Sequence, residues 1–268
     1  MAHIASASVF ALLVSSFIAA AQTSGSPQQP AQRDPQAAAV IARSVSAMGN
    51  AAFSDSAMSG QVQITAGGAS QDGTIRVLTR GLDQSLEEWT VGGESDAVVY
   101  SRGFAMRKAG GSSQSLSGEL AVTTHSKLLP VVWLSALIAD SDISLFSAGQ
   151  EQQGNSLAYH LRAWRSFAYK PELRHLSEFS VADLWIDATS FLPTKIAYQQ
   201  RAARGIDEGI RIELTPSDYK ALGGIVCPLT IEVSRNGTPW AHISITTVSL
   251  NTGLTDAEFA IQVSGGGR

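Results

Sequence analysis

The chain is short of the residues that announce common chemistries. It holds one cysteine, Cys227, in 268 residues. That excludes an intrachain disulfide framework, a CxxC redox pair and a Cys-rich zinc site. A basic surplus is also missing: 19 Lys and Arg stand against 23 Asp and Glu, for a formal net charge of −4. Nucleic acid or an anionic membrane surface would call for a basic patch, so nucleic acid is not expected as a partner. Charged residues reach only 16%, against about a quarter in ordinary soluble domains. No stretch beyond the first 21 residues approaches the roughly eighteen consecutive apolar residues of a membrane-crossing helix. GxSxG and GxxxxGK[ST] are absent, and no GxGxxG opens a helix after a strand. What is present is 44% apolar residues, too many for a disordered chain. The length suits one large domain or two small ones.

The candidate chemical residues are sparse. His125, His160, His175 and His242 are never three or four apart, so no helical metal pair exists. Ser217-Asp218-Tyr219-Lys220 matches SxxK, which works only if the lysine sits one helical turn from the serine. Here Thr215-Pro216-Ser217-Asp218 reads as a turn ending a strand. Asp183 and Asp187 flank Trp185 on one strand face. At ~3.3 Å per residue they lie ~13 Å apart, too far to share a proton or work as a carboxylate pair. Asp140-Ser141-Asp142 lacks the further oxygens of a calcium loop and reads as a helix stop. No catalytic residue, metal or cofactor is assigned, and an enzyme is not expected.

The first 21 residues read as an address. Val9 to Ile18 is an apolar core too short to span a bilayer, and Ala19-x-Ala21 before Gln22 suits a signal peptidase. Residues 22–36 are polar and Pro-rich and read as a flexible tether. Cysteine does not follow the cleavage site, so lipidation is not expected. The mature product is expected to be exported, soluble and periplasmic, with one domain over 37–262 and a disordered tail at 263–268.

Within that domain one helix is signalled first. Asp34 caps it, Pro35 fits its first turn, and Gly49-Asn50 ends it. Val40, Ile41, Ser44, Val45 and Met48 share a face at helical spacing. Strands follow, with period-2 alternation between Gly-rich turns. The runs start near Met58, Ile75, Leu86, Ala97, Phe104, Leu157, Phe179, Leu192, Ile206, Ile225 and Trp240. One break interrupts them. Residues 123–139 predict a helix capped by Thr124 or Ser126, with Pro130 in its first turn. It is apolar round almost its whole circumference, so it is buried or touches a ligand.

Four local patterns carry a resemblance. The helix ends in Met48-Gly49-Asn50 before the strand Ser59-Gly60-Gln61-Val62-Gln63-Ile64. Trp185-Ile186-Asp187 leads through Thr189 to Leu192-Pro193-Thr194-Lys195. Tyr219-Lys220 runs to Gly224-Ile225-Val226-Cys227-Pro228. Val248-Ser249-Leu250-Asn251 runs through Leu254 and Asp256 to Phe259. Together and in this order they resemble the periplasmic outer-membrane lipoprotein carrier (LolA-like) superfamily. The resemblance implies a mainly β fold with a few α-helices: an incomplete antiparallel β-barrel of about eleven strands with a helical lid or plug. It also implies an apolar interior for lipid acyl chains or lipoproteins. Val62, Ile64, Ile75, Val77, Trp89, Trp185 and Ile212 are then expected to line the interior, with Leu129, Trp133 and Leu137 from the lid. A monomeric carrier in outer-membrane biogenesis is the first functional expectation. The alternative is a non-enzymatic envelope sensor or scaffold that binds protein partners, among them envelope membrane proteins, with the same fold.

Overall fold

The computed structural model describes residues 31–49, 53–200 and 209–261. The expected signal peptide, most of the tether, the start of the strand expected from Ile206 and the tail lie outside the described residues. The fold is mainly β. Helix α1 (Pro35–Ala47) is followed by six strands: β1 (Ser56–Ala66), β2 (Ala69–Arg80), β3 (Gln84–Val91), β4 (Glu94–Ser101), β5 (Phe104–Ala109) and β6 (Ser112–Ser115). A short α2 (Gly118–Ala121) and α3 (Pro130–Ala139) come next. Then follow β7 (Ile143–Gln153), β8 (Ser156–Arg165), a 3-10 helix (Pro171–Ser180), β9 (Ala182–Asp187), β10 (Pro193–Gln200), β11 (Ile210–Leu222), β12 (Ile225–Arg235) and β13 (Thr238–Leu250).

All thirteen strands belong to one antiparallel sheet, in the order β6-β5-β4-β3-β2-β1-β13-β12-β11-β10-β9-β8-β7. Nearly every neighbour in space is a neighbour in sequence, most of them joined by tight turns and β8 to β9 through the 3-10 helix. The exception is β1 with β13, where Met58 faces Val248 and Val62 faces Ile243. Two meanders, β1–β6 and β7–β13, therefore meet along a single seam. Their outer edges, β6 and β7, are not paired with each other, so the barrel is incomplete. The chain between those edges carries α2 and α3.

Alternation sets the two faces. Met58, Val62, Ile75, Val77, Leu161, Leu184, Ile196, Ile212, Ile231 and Ile243 join one core cluster with α1 and α3. This is the concave face. Helix α1 lays Ala37, Val40, Ile41, Ser44 and Val45 on it. Its capping is as the sequence predicts: the Asp34 carboxylate accepts from Gln36 N at 2.7 Å, and Gly49 takes a positive φ of 118° just past the end. The opposite face is covered in part by the C-terminal segment, where Phe259 packs with Leu78 and Val99.

Three expectations are corrected. The described residues form thirteen strands where about eleven are expected; β6 and β7 lack the alternation that betrays the others. The helix expected over 123–139 begins at Pro130, with Leu129 at its N-cap in a non-helical conformation, because the residue before a proline is driven out of the helical region. Ser217-Asp218-Tyr219-Lys220 lies inside β11, not in a turn. Asp218 has φ 51° and drops out of the register between Ser217 opposite Thr230 and Tyr219 opposite Pro228. The strand carries no helical turn there, so Lys220 is not set over Ser217. It pairs with Asp218 at 3.0 Å instead.

Candidate functional site

The centre of the concave face is occupied by α3 and the loop before it. Pro130, Val131, Val132, Trp133, Leu134 and Leu137 of α3 are all buried, which fits a helix apolar on every side. Its two ends are held unequally. The N-terminus has no side-chain cap. At the C-terminus, Arg33 donates to the carbonyls of Leu137 (2.6 Å), Asp140 (2.7 Å), Ile138 (2.8 Å) and Ile143 (3.2 Å). Leu137 and Ile138 carry acceptors that a helix end leaves without partners, and a cation there also suits the helix dipole. Gln32 and Asp34, assigned by composition to the tether, bracket Leu145 of β7 through backbone bonds, with Arg33 opposite it: Leu145 N donates to Gln32 O and Asp34 N to Leu145 O.

The loop before α3 brings two titratable groups inside. His125 Nε2 faces the Gly81 carbonyl and Nδ1 the Ser126 carbonyl, both at 2.9 Å. Burial, reinforced by the charge of Lys127, pushes His125 down to about 4, although both carbonyls pull the other way. Lys127 is 7% exposed. Its Nζ donates to His125 O at 2.9 Å and Thr123 O at 3.4 Å. It also sits 4.1 Å from the Tyr198 ring centroid and 5.8 Å from that of Trp133. Burial pushes Lys127 down to about 8, against the opposing pull of Glu87.

These groups border a cavity of about 60 Å³ whose walls include Leu82, His125, Lys127, Trp133, Leu137 and Trp164. That volume holds a few waters, not an acyl chain. A wider groove of about 350 Å³ adjoins it, with Tyr100 and Arg165 in the walls of both. Arg102, Lys170 and the 80% exposed Tyr169 line the groove toward solvent. Room for a larger ligand on the concave face requires α3 to shift.

The structure disperses the residues expected at the site. Trp133 and Leu137 border the inner cavity. Leu129, Val62, Ile75, Val77 and Ile212 are buried in the same core, and Ile64 and Trp89 pack against it half-buried. Trp185 is on the opposite face, in a small cluster with Ala158 and Ala197. Alternation along β9 turns Leu184 and Ile186 inward and therefore Trp185 outward. There its ring stacks on His160 with centroids 4.4 Å apart, lies 3.8 Å under the Lys195 ammonium, and its Nε1 donates to Glu151. Asp183 joins this outer cluster. Burial pushes its carboxyl up, but bonds from His160 and Arg162 outweigh that and hold it below the usual range. Asp187 binds its own turn, accepting from Ser190 N at 2.7 Å. Cys227 is buried, and its thiol is pushed up to about 11, so it is held as a thiol. Sequence reasoning missed Lys127, His125 and Trp164, since none of them stands in a motif.

Among the described residues, no group of three or more His, Cys, Asp or Glu is placed to hold a metal. No described helix is long and apolar enough to cross a membrane.

No protein-family model matches the chain, and no curated protein matches it in sequence. Its fold, however, is LolA-like. A LolA superfamily protein from Nitrosomonas europaea aligns at a TM-score of 0.56 with 13% identity, over 84% of this chain and 97% of that one. A domain from Vibrio parahaemolyticus named for outer-membrane lipoprotein sorting aligns at 0.53 with 11% identity, over 84% and 96%. A DUF1329 family protein from Desulfovibrio piger aligns at 0.52 with 15% identity, over 84% and 96%. At such identities the likeness speaks for the fold.

Proposed function

We propose that the protein is an exported, non-enzymatic carrier or binding protein for lipid or lipoprotein acyl chains, received on the concave face of the half-barrel beneath α3. The observation that carries this reading is α3 itself. A helix that only covers a sheet needs one apolar stripe, whereas α3 is apolar all round and borders a cavity with Trp133 and Leu137. The cavity marks where a displaced helix would leave apolar wall. Burying acyl chain is worth about 0.8 kcal/mol per methylene, so a sixteen-carbon chain offers roughly 12 kcal/mol before ordering costs. That is ample to offset the movement of a ten-residue helix. The LolA-like fold supports the same reading, as does the apolar leader at Val9–Ile18 followed by the cleavable Ala19-x-Ala21, which suits export to where such lipids travel.

Hydrogen exchange and binding test the proposal together. A sixteen-carbon lipid should slow exchange across residues 123–139. Trp133→Asp should weaken binding at least tenfold, because a desolvated carboxylate would face acyl chain, with melting followed in parallel. Unchanged exchange at saturating lipid, with normal binding by a folded Trp133→Asp, would make α3 ordinary core.

A further inference from the structure

The inner cavity is apolar in its bulk yet one-sided in its charge. Lys127 and Arg165 are both in its wall, and the wall contains no carboxylate. Arg165 is already engaged, with Asp140 at 3.0 Å and Asp83 at 3.7 Å. Lys127 is not: no ion pair joins it to a described carboxylate. Glu87 acts on it only at a distance, and that carboxylate accepts from Trp89 Nε1 at 2.9 Å. An ammonium has three donors; two of those of Lys127 go to Thr123 O and His125 O, and its charge also lies 4.1 Å from the Tyr198 ring centroid, so it has contacts but no anion. A donor in the same wall is unspent. Trp164 is 3% exposed, and its Nε1 has no hydrogen-bond partner among the described residues. A buried charge without a counter-ion and a buried donor without an acceptor are each costly. Both costs fall on one small cavity, and one kind of ligand relieves both.

We infer that this cavity is an anchor for the carboxylate of a fatty acid, held by Lys127 Nζ and Trp164 Nε1 while its chain lies along the concave face under α3. The inference rests on the acyl-chain reading above and adds a head group to it. A carboxylate has two oxygens and accepts only, matching two donors without a competing acceptor. A single ammonium is a point charge suited to one monoanionic group, whereas the bidentate forks used for phosphates are arginines. The cavity of about 60 Å³ has room for a carboxylate.

Equilibrium binding of palmitate, hexadecanol and acetate to the purified full chain, stripped of co-purified lipid, tests this. Palmitate should bind at least tenfold more tightly than hexadecanol, and acetate should not bind at millimolar concentration. In Lys127→Met the preference should shrink to threefold or less, chiefly through weaker palmitate binding. Trp164→Phe, which keeps a ring, should reduce it in part. Glu87→Gln should tighten palmitate alone. No preference in the unaltered protein, or a full preference in Lys127→Met, overturns the anchor while the carrier reading stands. Acetate binding as tightly as palmitate makes the site a small-anion site and overturns the fatty-acid assignment. Failure of both long-chain ligands sinks the carrier reading and this inference with it. If Lys127→Met does not fold, the Lys127 Cε resonance decides on the unaltered chain. Its titration midpoint should rise by a unit or more with palmitate and stay put with hexadecanol, and no rise with palmitate overturns the anchor.

Discussion

At the scale of single residues, the loop before α3 buries two titratable groups and makes the charged form of each costlier than in water. His125 is held neutral, its folded value pushed down to about 4 against an ordinary value near 6.5. The folded state then resists a proton that the unfolded chain accepts. The stability tied to neutral His125 is complete above about pH 6.5 and is lost as the pH falls toward 4. Between pH 7 and pH 5 that loss should be on the order of 2 kcal/mol. Urea midpoints at pH 7, 6 and 5 should show it, and His125→Gln should flatten most of the slope. Equal slopes in both proteins would mean that the ring is already protonated when folded, as its two carbonyl neighbours would allow. Lys127 has the same sign: its value is lowered to about 8, so keeping it charged at neutral pH costs stability. Such local costs gather where a fold is kept for function.

At the scale of elements, α3 has no side-chain cap at its N-terminal end and is strapped at its C-terminal end by Arg33. Arg33→Ala removes the four bonds to backbone carbonyls there. Because Arg33 is largely exposed, the cost should be about 1 kcal/mol, seen as roughly fivefold faster amide exchange across α3 in the lipid-free protein. Exchange that does not change would show that the strap is idle and that packing alone seats the helix. The elements differ in how plainly the sequence displays them. Helix α1 was readable because cap, proline, apolar spacing and terminal glycine agree. Strand β6, Ser112–Ser115, is exposed throughout, so no apolar alternation marks it and only pairing with β5 makes it a strand. Strand β7 begins as an apolar run and ends polar, which obscures its period. Trp185 was legible in principle: Asp183 and Asp187 share its face, and Leu184 and Ile186 are the inward residues. Size suggested interior where parity says exterior. The cavity wall was not legible at all, because a lone Lys127 beside Leu128-Leu129 does not disclose that its ammonium turns inside.

At the scale of the whole molecule, the sheet is two hairpin meanders joined only along β1 and β13. Every other ladder forms between chain neighbours and costs little loop entropy. The seam pairs Ser56 with Leu250, near the two ends of the domain, and its closure entropy must be met before its contacts repay it. The order of folding follows. Each meander can assemble by itself, and the rate-limiting event is their meeting. Gly60 is the residue to ask, since it lies at the irregular step of the seam and a Cβ there would come within 2.5 Å of the Ser244 carbonyl oxygen. Gly60→Ala should lower the refolding rate several-fold and leave the unfolding rate nearly unchanged, read from the two arms of a chevron. Movement of the unfolding arm alone would place the seam after the barrier. If the seam is the barrier, a newly made chain spends its slowest moments as two open half-sheets with their apolar faces uncovered, and the time it needs protection from aggregation is set by how long those halves take to find each other.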